Sequence, residues 1–143
     1  MNFTSKEEYG LLAVIYIAGG CPGQPIQSKE IASAECIPEQ FLDQVLAALR
    51  RAGIVRSIRG ASGGYELART AAEITAGDVI RALSGSAMHL PGKQEKDGDA
   101  LVVQELIEKV QAAISGVLDN TTIENLVEEK LRREGTGSFM MHI

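Results

Sequence analysis

The sequence predicts a mainly α-helical fold with one small β-hairpin, followed by a long helix suited to dimerisation. Two helical patterns joined by a short turn cover residues 28–52, and the second of them is amphipathic. A glycine-rich hairpin pattern follows at residues 54–67. Further along, valines recur every seven residues within residues 100–118, which is typical of helices that pair.

Helix boundaries are marked by residues that favour caps and breaks. The predicted helix starts are Thr4 with Glu7, Ser28 before a short helix over residues 29–34, Pro38 as first helical residue, Thr75 with Asp78, and Thr121 with Glu124. Glycines at positions 19, 20 and 53 are expected to end the first and third helices.

The third predicted helix has two distinct faces. Its apolar positions, which we expect to pack on the domain, are Phe41, Leu42, Val45, Leu46 and Leu49. The opposite stripe follows helical spacing through Gln40, Asp43, Gln44, Ala47 and Arg51. A helix with one docking face and one polar face is suited to reading base edges in a DNA groove.

A basic hairpin follows this helix. Residues 54–58 alternate like a half-buried strand, and residues 65–67 are predicted to return antiparallel to them. Three glycines allow a tight turn between the strands, and Arg56 and Arg59 flank it. A helix-turn-helix followed by such a hairpin predicts a winged helix that binds double-stranded DNA.

The side chains indicate different contacts with DNA. Gln40 and Gln44 suit adenine edges, and Asp43 suits the cytosine amino group. Serine and arginine side chains suit phosphates, and the wing-tip arginine suits the minor groove. The predicted DNA-binding residues are Ser5, Lys6, Ser28, Gln40, Phe41, Asp43, Gln44, Arg51, Arg56, Arg59, Gly60, Gly63, Gly64 and Tyr65.

Charge and composition narrow the class of protein. The net charge is −5, yet residues 47–69 contain five arginines and one acid, Glu66. A basic patch on an acidic body favours binding of a short DNA site. Two cysteines imply no disulfide framework, and no apolar run is long enough for a membrane span, so we expect a cytoplasmic protein. The sequence contains no nucleophile–base motif, P-loop or dinucleotide fingerprint, which argues against an enzyme.

We predict three segments: a winged helix-turn-helix over 1–84, a connector over 85–99, and a dimerisation helix, final helix and tail over 100–143. The apolar seam of the long helix needs a partner helix to bury it, which predicts a homodimer. Its residues are Val103, Leu106, Val110, Ala113 and Val117.

Several motifs resemble the Rrf-two (Rrf2) family of bacterial winged-helix regulators across nearly the whole chain. They are Thr4-Ser5-Lys6-x-x-Tyr9-Gly10-Leu11, Leu49-Arg50-x-Ala52-Gly53-Ile54-Val55, Arg59-Gly60-Ala61-x-Gly63-Gly64-Tyr65-x-Leu67, Ile74-Thr75-Ala76-Gly77-Asp78 and Leu118-Asp119-Asn120-Thr121-Thr122. The resemblance implies a homodimer whose recognition helices enter successive major grooves of a nearly palindromic site.

Cluster-binding members of that family carry three close cysteines before the long helix. Residues 86–98 contain none here, so the resemblance is to the cluster-free branch of cysteine metabolism repressors, and no cofactor or metal is expected. The Met- and Phe-containing end, residues 138–143, is similar to that branch and suggests a tail docked on the body. The resemblance also implies a cysteine-biosynthetic enzyme, O-acetylserine thiol-lyase, as a sensing partner.

Two alternatives remain open from the sequence. One is an iron- or redox-responsive regulator of the same fold that uses Cys21, Cys36, His89 or Glu8. The other is a protein-interaction module that uses the winged helix without binding DNA.

Overall fold

The fold is mainly helical with one hairpin, which confirms the predicted class. We analysed a computed structural model that describes residues 4–84 and 97–141, with side chains through residue 135. The elements in chain order are α1 Ser5–Ala18, α2 Ser28–Glu35, α3 Glu39–Arg51, β1 Val55–Ile58, β2 Gly64–Leu67, α4 Ala76–Ser84, α5 Asp99–Asp119 and α6 Ile123–Met141. Most of the connector, including His89, and the side chains of residues 138–143 lie outside this description.

One hydrophobic core lies where α1, α3 and α4 meet. Its largest fully buried side chains include Leu42, Leu46 and Leu49 from α3 and Ile74 from the segment before α4. Ile123, the first residue of α6, is also completely buried in this cluster. The last helix therefore begins inside the core of the predicted winged domain. Burial of branched aliphatic side chains such as Ile123 is the main stabilising contribution there.

Two of the predicted helix caps are confirmed by hydrogen bonds. The Thr4 backbone N–H donates to Glu7 Oε2 at 2.8 Å, which closes the capping box of α1. At α4, the Thr75 backbone N–H donates to Asp78 Oδ2 at 3.0 Å, and the Asp78 backbone N–H donates to the Thr75 hydroxyl oxygen at 3.0 Å. Both helix starts are fixed by reciprocal pairs.

Three other predicted starts are wrong by one residue. Thr122 caps α6 with Asn125, each backbone N–H donating to the other's side-chain oxygen at 3.0 Å, so the Thr121–Glu124 pairing does not form. Ser28 is the first residue of α2 after Gln27, and Pro38 occupies the cap position before Glu39. The proline has extended backbone angles, with φ −58° and ψ 130°, and therefore precedes the helix.

The hairpin pairs β1 and β2 in an antiparallel register from Val55 opposite Leu67 to Ile58 opposite Gly64. The predicted half-buried alternation is wrong for β1, because only Val55 is buried and Ile58 is 39% exposed. Residues 56–62, at the distal end of this two-stranded sheet, are exposed. Its tip is consequently available to a partner.

Hydrogen bonds and an ion pair near the start of α6 connect the α4 region to the end of α5. The Ala76 backbone N–H donates to the Thr121 carbonyl oxygen at 2.8 Å, and the Ile123 N–H donates to the Ile74 carbonyl oxygen at 2.8 Å. Arg81 of α4 also forms an ion pair with Asp119 of α5 at 2.8 Å. These contacts attach the end of α5 to the winged portion of the molecule.

Candidate nucleic-acid interface

The third helix presents the polar face that its spacing predicts. Gln40, Asp43 and Gln44 are exposed, and Arg51 is exposed at the end of the helix. The opposite side is buried through Leu42, Val45, Leu46, Ala48 and Leu49. Because the helix is held by its apolar side, three adjacent hydrogen-bonding side chains face solvent in a fixed arrangement. This is the geometry required of a recognition helix.

Phe41 does not lie in the core, which corrects its assignment to the apolar face. The ring is 38% exposed and meets Tyr9 of α1 edge to face, with centroids 5.4 Å apart and planes at 80°. Its angular position is at the margin between the two faces of α3, so Tyr9 covers only one side of it. The half-covered ring stays beside the polar stripe, where the DNA-binding prediction placed it.

The turn between α2 and α3 is tight. Cys36 adopts a left-handed conformation with φ 54° at the end of α2, and its side chain is exposed. The Ile37 N–H donates to the Ala32 carbonyl oxygen at 3.0 Å, and Ile37 itself is 3% exposed. A buried aliphatic residue directly after the left-handed residue fixes the angle between the two helices.

Residues predicted to contact phosphates lie near the helix starts. Ser5 is exposed and Lys6 is partly exposed in the first turn of α1. Ser28 is partly exposed at the first position of α2. Unpaired backbone N–H groups at helix starts attract anions, so these positions are suited to the DNA backbone.

The wing turn separates exposed from buried glycines. Arg59 and Gly60 are exposed at the tip, where Gly60 has φ 113° and its carbonyl oxygen accepts a 3.0 Å hydrogen bond from the Gly63 N–H. Gly63 is buried, and a side chain there would meet the Ile58 carbonyl oxygen at 2.1 Å. The structure therefore gives Gly63 a role in turn geometry, while Arg59 and Gly60 remain accessible.

The base of the wing is fastened to the loop before α2. Tyr65 and Ile26 exchange two backbone hydrogen bonds, of 2.8 and 2.9 Å, in an isolated bridge. Gly64 has φ 153°, and a Cβ there would meet the Ile26 carbonyl group at 2.5 Å. Close approach of the two backbones requires glycine at position 64 and leaves Tyr65 partly buried. The conformation of the wing base is thus tied to the start of the helix-turn-helix.

Arg56 is already paired within the wing. Its Nε donates to Glu66 Oε1 at 2.6 Å, and the arginine side chain remains 61% exposed. The predicted phosphate contact of Arg56 therefore competes with an intramolecular carboxylate. Arg59, by contrast, has no ion-pair partner among residues 4–84 and 97–135, which leaves it the stronger candidate for DNA.

A second cluster of charged side chains consists of Arg69, Asp78, Arg81 and Asp119. The sequence predicted only one part of it, the helix cap formed by Asp78 with Thr75. Burial alone would raise the pKa of Asp78, but hydrogen bonds from Thr75 and Arg81 and the charge of Arg69 bring this pKa below its ordinary value of 3.8. Arg81 also joins Asp119 of α5, and this bond raises the pKa of Arg81. The i, i+3 spacing of Asp78 and Arg81 could have revealed half of the cluster, whereas the pairing with Asp119 is tertiary.

Metal ligands and membrane spans are not found in the described parts of the chain. Within residues 4–84 and 97–141, no three His, Cys, Asp or Glu side chains come together as a metal site. Cys21 and Cys36 are both exposed and unbonded. No described helix combines the length and apolarity needed to cross a bilayer.

Comparison with known proteins agrees with this architecture. The model of the Rrf2 family, described as an iron-dependent transcriptional regulator, matches residues 3–129. The chain belongs to the Rrf2 family. The transcriptional regulator CymR of Bacillus subtilis is 37% identical over 126 residues, covering 88% of this chain and 89% of the relative.

Two solved Rrf2 structures share the fold. The structure of B. subtilis CymR, titled as the global cysteine regulator of that organism, superimposes with a TM-score of 0.80 at 36% identity, covering 90% of this chain and 98% of the other. IscR of T. potens gives a TM-score of 0.79 at 35% identity, covering 91% and 88%. The predicted resemblance to a CymR-like Rrf2 regulator with a DNA-binding winged helix is confirmed.

The iron dependence in the family description does not match the thiols of this chain. An iron–sulfur cluster is held by several thiolates, and the whole sequence contains two cysteines, neither of them in residues 86–98. Cys21 lies in the loop after α1 and Cys36 at the end of α2. The donor set therefore does not fit a three-cysteine cluster site.

Proposed function

We propose that this chain is a cluster-free, homodimeric transcriptional repressor that reads DNA through α3 and clamps it with the wing. The observation that carries the proposal is the exposed stripe of Gln40, Asp43 and Gln44, which α3 presents on the same domain as the free wing-tip Arg59. Amide and carboxylate groups in the major groove read base edges, and the arginine supplies backbone or minor-groove affinity. No catalytic role is proposed.

The dimer is supported by the surface of α5, on which no residue is buried within the chain. Its exposed apolar residues are Leu101, Val102, Val103, Leu106, Ile107, Val110 and Val117. Positions 104, 111, 114, 115 and 118 of the same helix are partly buried. A continuous apolar face of this kind marks an interface, and the predicted seam of Val103, Leu106, Val110, Ala113 and Val117 lies within it.

A two-fold axis at α5 would present two copies of α3 to one face of DNA. Winged-helix dimers then read half-sites about 34 Å apart, which corresponds to one turn of the double helix. We infer an operator with approximate two-fold symmetry. We also propose that the protein acts in the cytoplasm, because a bacterial transcriptional regulator reaches its DNA there.

A role in sulfur metabolism is the finer part of the proposal. It is supported by the similarity to CymR, whose structure is titled as a global cysteine regulator, and by the absence of cluster-forming cysteines. A cysteine-biosynthetic enzyme is the proposed sensing partner. Co-purification of the two proteins, and its reversal by a metabolite of that enzyme, would test this partner separately from DNA binding.

The deciding experiment for DNA binding is a fluorescence anisotropy titration with the gene's own upstream region. We expect specific binding to exceed binding to a scrambled duplex, and log affinity to fall linearly with log salt as phosphate contacts release counterions. Equal affinity for both duplexes would contradict sequence-specific recognition. Absence of binding at low salt would favour the protein-interaction module instead.

A redox-responsive regulator is the second candidate, and the exposure of both Cys21 and Cys36 favours it. Both thiols lie at the helix-turn-helix, Cys21 in the loop before it and Cys36 in its turn. Oxidation of either would therefore disturb the docking of the helix-turn-helix on DNA. DNA affinity measured before and after mild oxidation, in the wild type and in Cys21→Ser and Cys36→Ser variants, tests this candidate. Colourless, iron-free protein with oxidant-independent affinity supports the repressor without a thiol or metal sensor.

A further inference from the structure

A groove crosses the molecule between the wing and α6, away from the polar stripe of α3. Its first part is a cavity of about 370 Å³ between the end of α1, the following loop and β2. Its second part, of about 360 Å³, continues toward α6. Both parts are lined by Ala18, Thr70 and Ala71, so they form one continuous groove.

Positive charge is available at the wing end of the groove. Arg69 lines this end, and its closest acid is Asp78 at 3.9 Å, which is too long for a hydrogen bond. Asp78 already accepts hydrogen bonds from Thr75 and Arg81. Arg56 lines the same end but is held by Glu66. Arg69 is therefore the guanidinium with donors available to a ligand.

Negative charge lies at the other end. Glu124 and Glu128, one helical turn apart on α6, line the second part of the groove and are exposed. Neither carboxylate has an ion-pair partner in the described parts of the chain. The Glu124 backbone N–H donates to the Ala71 carbonyl oxygen at 3.1 Å, so the acidic end is fixed against the groove floor.

The two ends are separated by a short apolar floor. Ala71 follows Arg69 by two residues, a separation of up to about 7 Å along the chain. Ile17 and Leu67 line the wing side, and Val127 lines the α6 side. This lining suits a molecule that combines an anionic group, a small apolar body and a cationic group.

We propose that this groove binds a small zwitterion of amino-acid or dipeptide size. Its carboxylate would pair with Arg69, its ammonium group with Glu124 and Glu128, and its side chain would lie over Ala71. The volume is within the range of small-molecule sites. The groove lies apart from the polar stripe of α3 but shares Arg56 and Tyr65 with the predicted DNA-binding residues of the wing. Its occupancy does not depend on the proposed DNA-binding function.

Because of where the groove lies in the fold, a ligand bound in it would affect the placement of the wing. Its walls include Tyr65 from the wing and residues 21–24 of the loop before α2. A ligand that bridges these walls favours one placement of the wing relative to the helix-turn-helix. By linkage, a ligand that changes DNA affinity must have its own affinity changed by DNA to the same extent. That consequence rests on the proposed function.

The binding test uses the full chain without DNA, so its result is independent of the repressor proposal. Alanyl-leucine and free leucine are titrated into isotope-labelled protein and followed by two-dimensional NMR. N-acetyl-alanyl-leucine lacks the ammonium group, and alanyl-leucinamide lacks the carboxylate. We expect saturable binding of at least one zwitterion and loss of about fivefold in affinity with either capped dipeptide, because one exposed charged contact contributes about 1 kcal/mol.

Substitutions at each end of the groove test which end binds the carboxylate and which binds the ammonium group of the ligand. Arg69→Gln should remove the preference for the free carboxylate, and Glu124→Gln with Glu128→Gln should remove the preference for the free ammonium group. Arg133→Gln and Glu134→Gln change exposed charges on α6 outside the groove and should leave affinity unchanged. Absence of saturable binding by both zwitterions overturns the proposal. Equal affinity for capped and uncapped dipeptides overturns it without relying on any variant.

Discussion

Arg56 Nε lies 2.6 Å from Glu66 Oε1, across a directly paired position of the β1–β2 register. The wing therefore carries a built-in competitor for one of its two arginines. Its other arginine, Arg59, lies at the tip and is exposed. This relationship predicts that the two arginines contribute unequally to DNA affinity.

Removal of the competing carboxylate should strengthen binding to all DNA sequences. In Glu66→Gln, Arg56 becomes available to phosphate, and one added contact steepens the slope of log affinity against log salt by about 0.9. Anisotropy titrations over a range of KCl concentrations measure the slope. Glu73→Gln, an exposed acid in the turn before α4, is the charge-matched control. An unchanged slope would place Arg56 outside the interface.

Removal of the wing-tip charge should have the opposite effect. Arg59→Ala should lower affinity for specific and scrambled duplexes alike and reduce the salt slope by about 1, with the circular dichroism spectrum unchanged. Arg133→Ala changes an exposed arginine on α6 and should bind DNA like the wild type. Wild-type affinity in Arg59→Ala would contradict a DNA contact at the wing tip.

Base selection should depend on the amide side chains of α3. Gln44→Ala should cost about 1–3 kcal/mol at the preferred operator and flatten the base preference at one position. Competition with operators substituted at single positions measures this change. Gln24→Ala, an exposed glutamine in the loop before α2, serves as control. Uniform weakening on every sequence would make Gln44 a backbone contact.

The dimer should depend on the apolar face of α5. Val110→Asp places a charge within that face and should convert the dimer to monomer, because burial of an unpaired carboxylate costs several kcal/mol. Ala112→Asp adds the same charge to an exposed position of the same helix, outside the seam. Light scattering after gel filtration separates the two species. A dimeric Val110→Asp protein would contradict the seam.

Asp78 should make stability depend on pH on the acid side. The folded pKa of Asp78 is lower than its ordinary value of 3.8, so the unfolded chain binds the proton more tightly. The resulting stability is fully present above that value and is lost as pH falls through the folded pKa. Urea unfolding at a series of pH values should therefore show Asp78→Asn approaching the wild type as pH falls. A constant difference would contradict the shift.

Local signals in the sequence were accurate where the structure depends on near neighbours. The capping box of Thr4 with Glu7 and the polar stripe of α3 follow from spacings of three and four residues. The capping-box spacing predicted Thr121 with Glu124 at the start of α6, whereas Thr122 with Asn125 forms the cap. The bridge between Thr75 and Thr122 places Thr122 at the start of α6.

Residues at the margin of a pattern were harder to assign. Helical periodicity placed Phe41 with the apolar side, but only the position of Tyr9 decides how far its ring is covered. Counting charges made Arg56 and Arg59 equivalent. Strand register then paired Arg56 with Glu66 and left Arg59 free, which no count of residues within the segment could show.

By itself the sequence determined the order of the helices, the face that α3 shows to solvent and the sharp turn of the wing. Each of these depends on helical period, capping or backbone freedom within a few residues. Tertiary structure alone decided the groove with Arg69 at one end and Glu124 at the other. Residues so distant in the chain come together because burial of Ile74 and Ile123 in one core brings their neighbouring segments into contact.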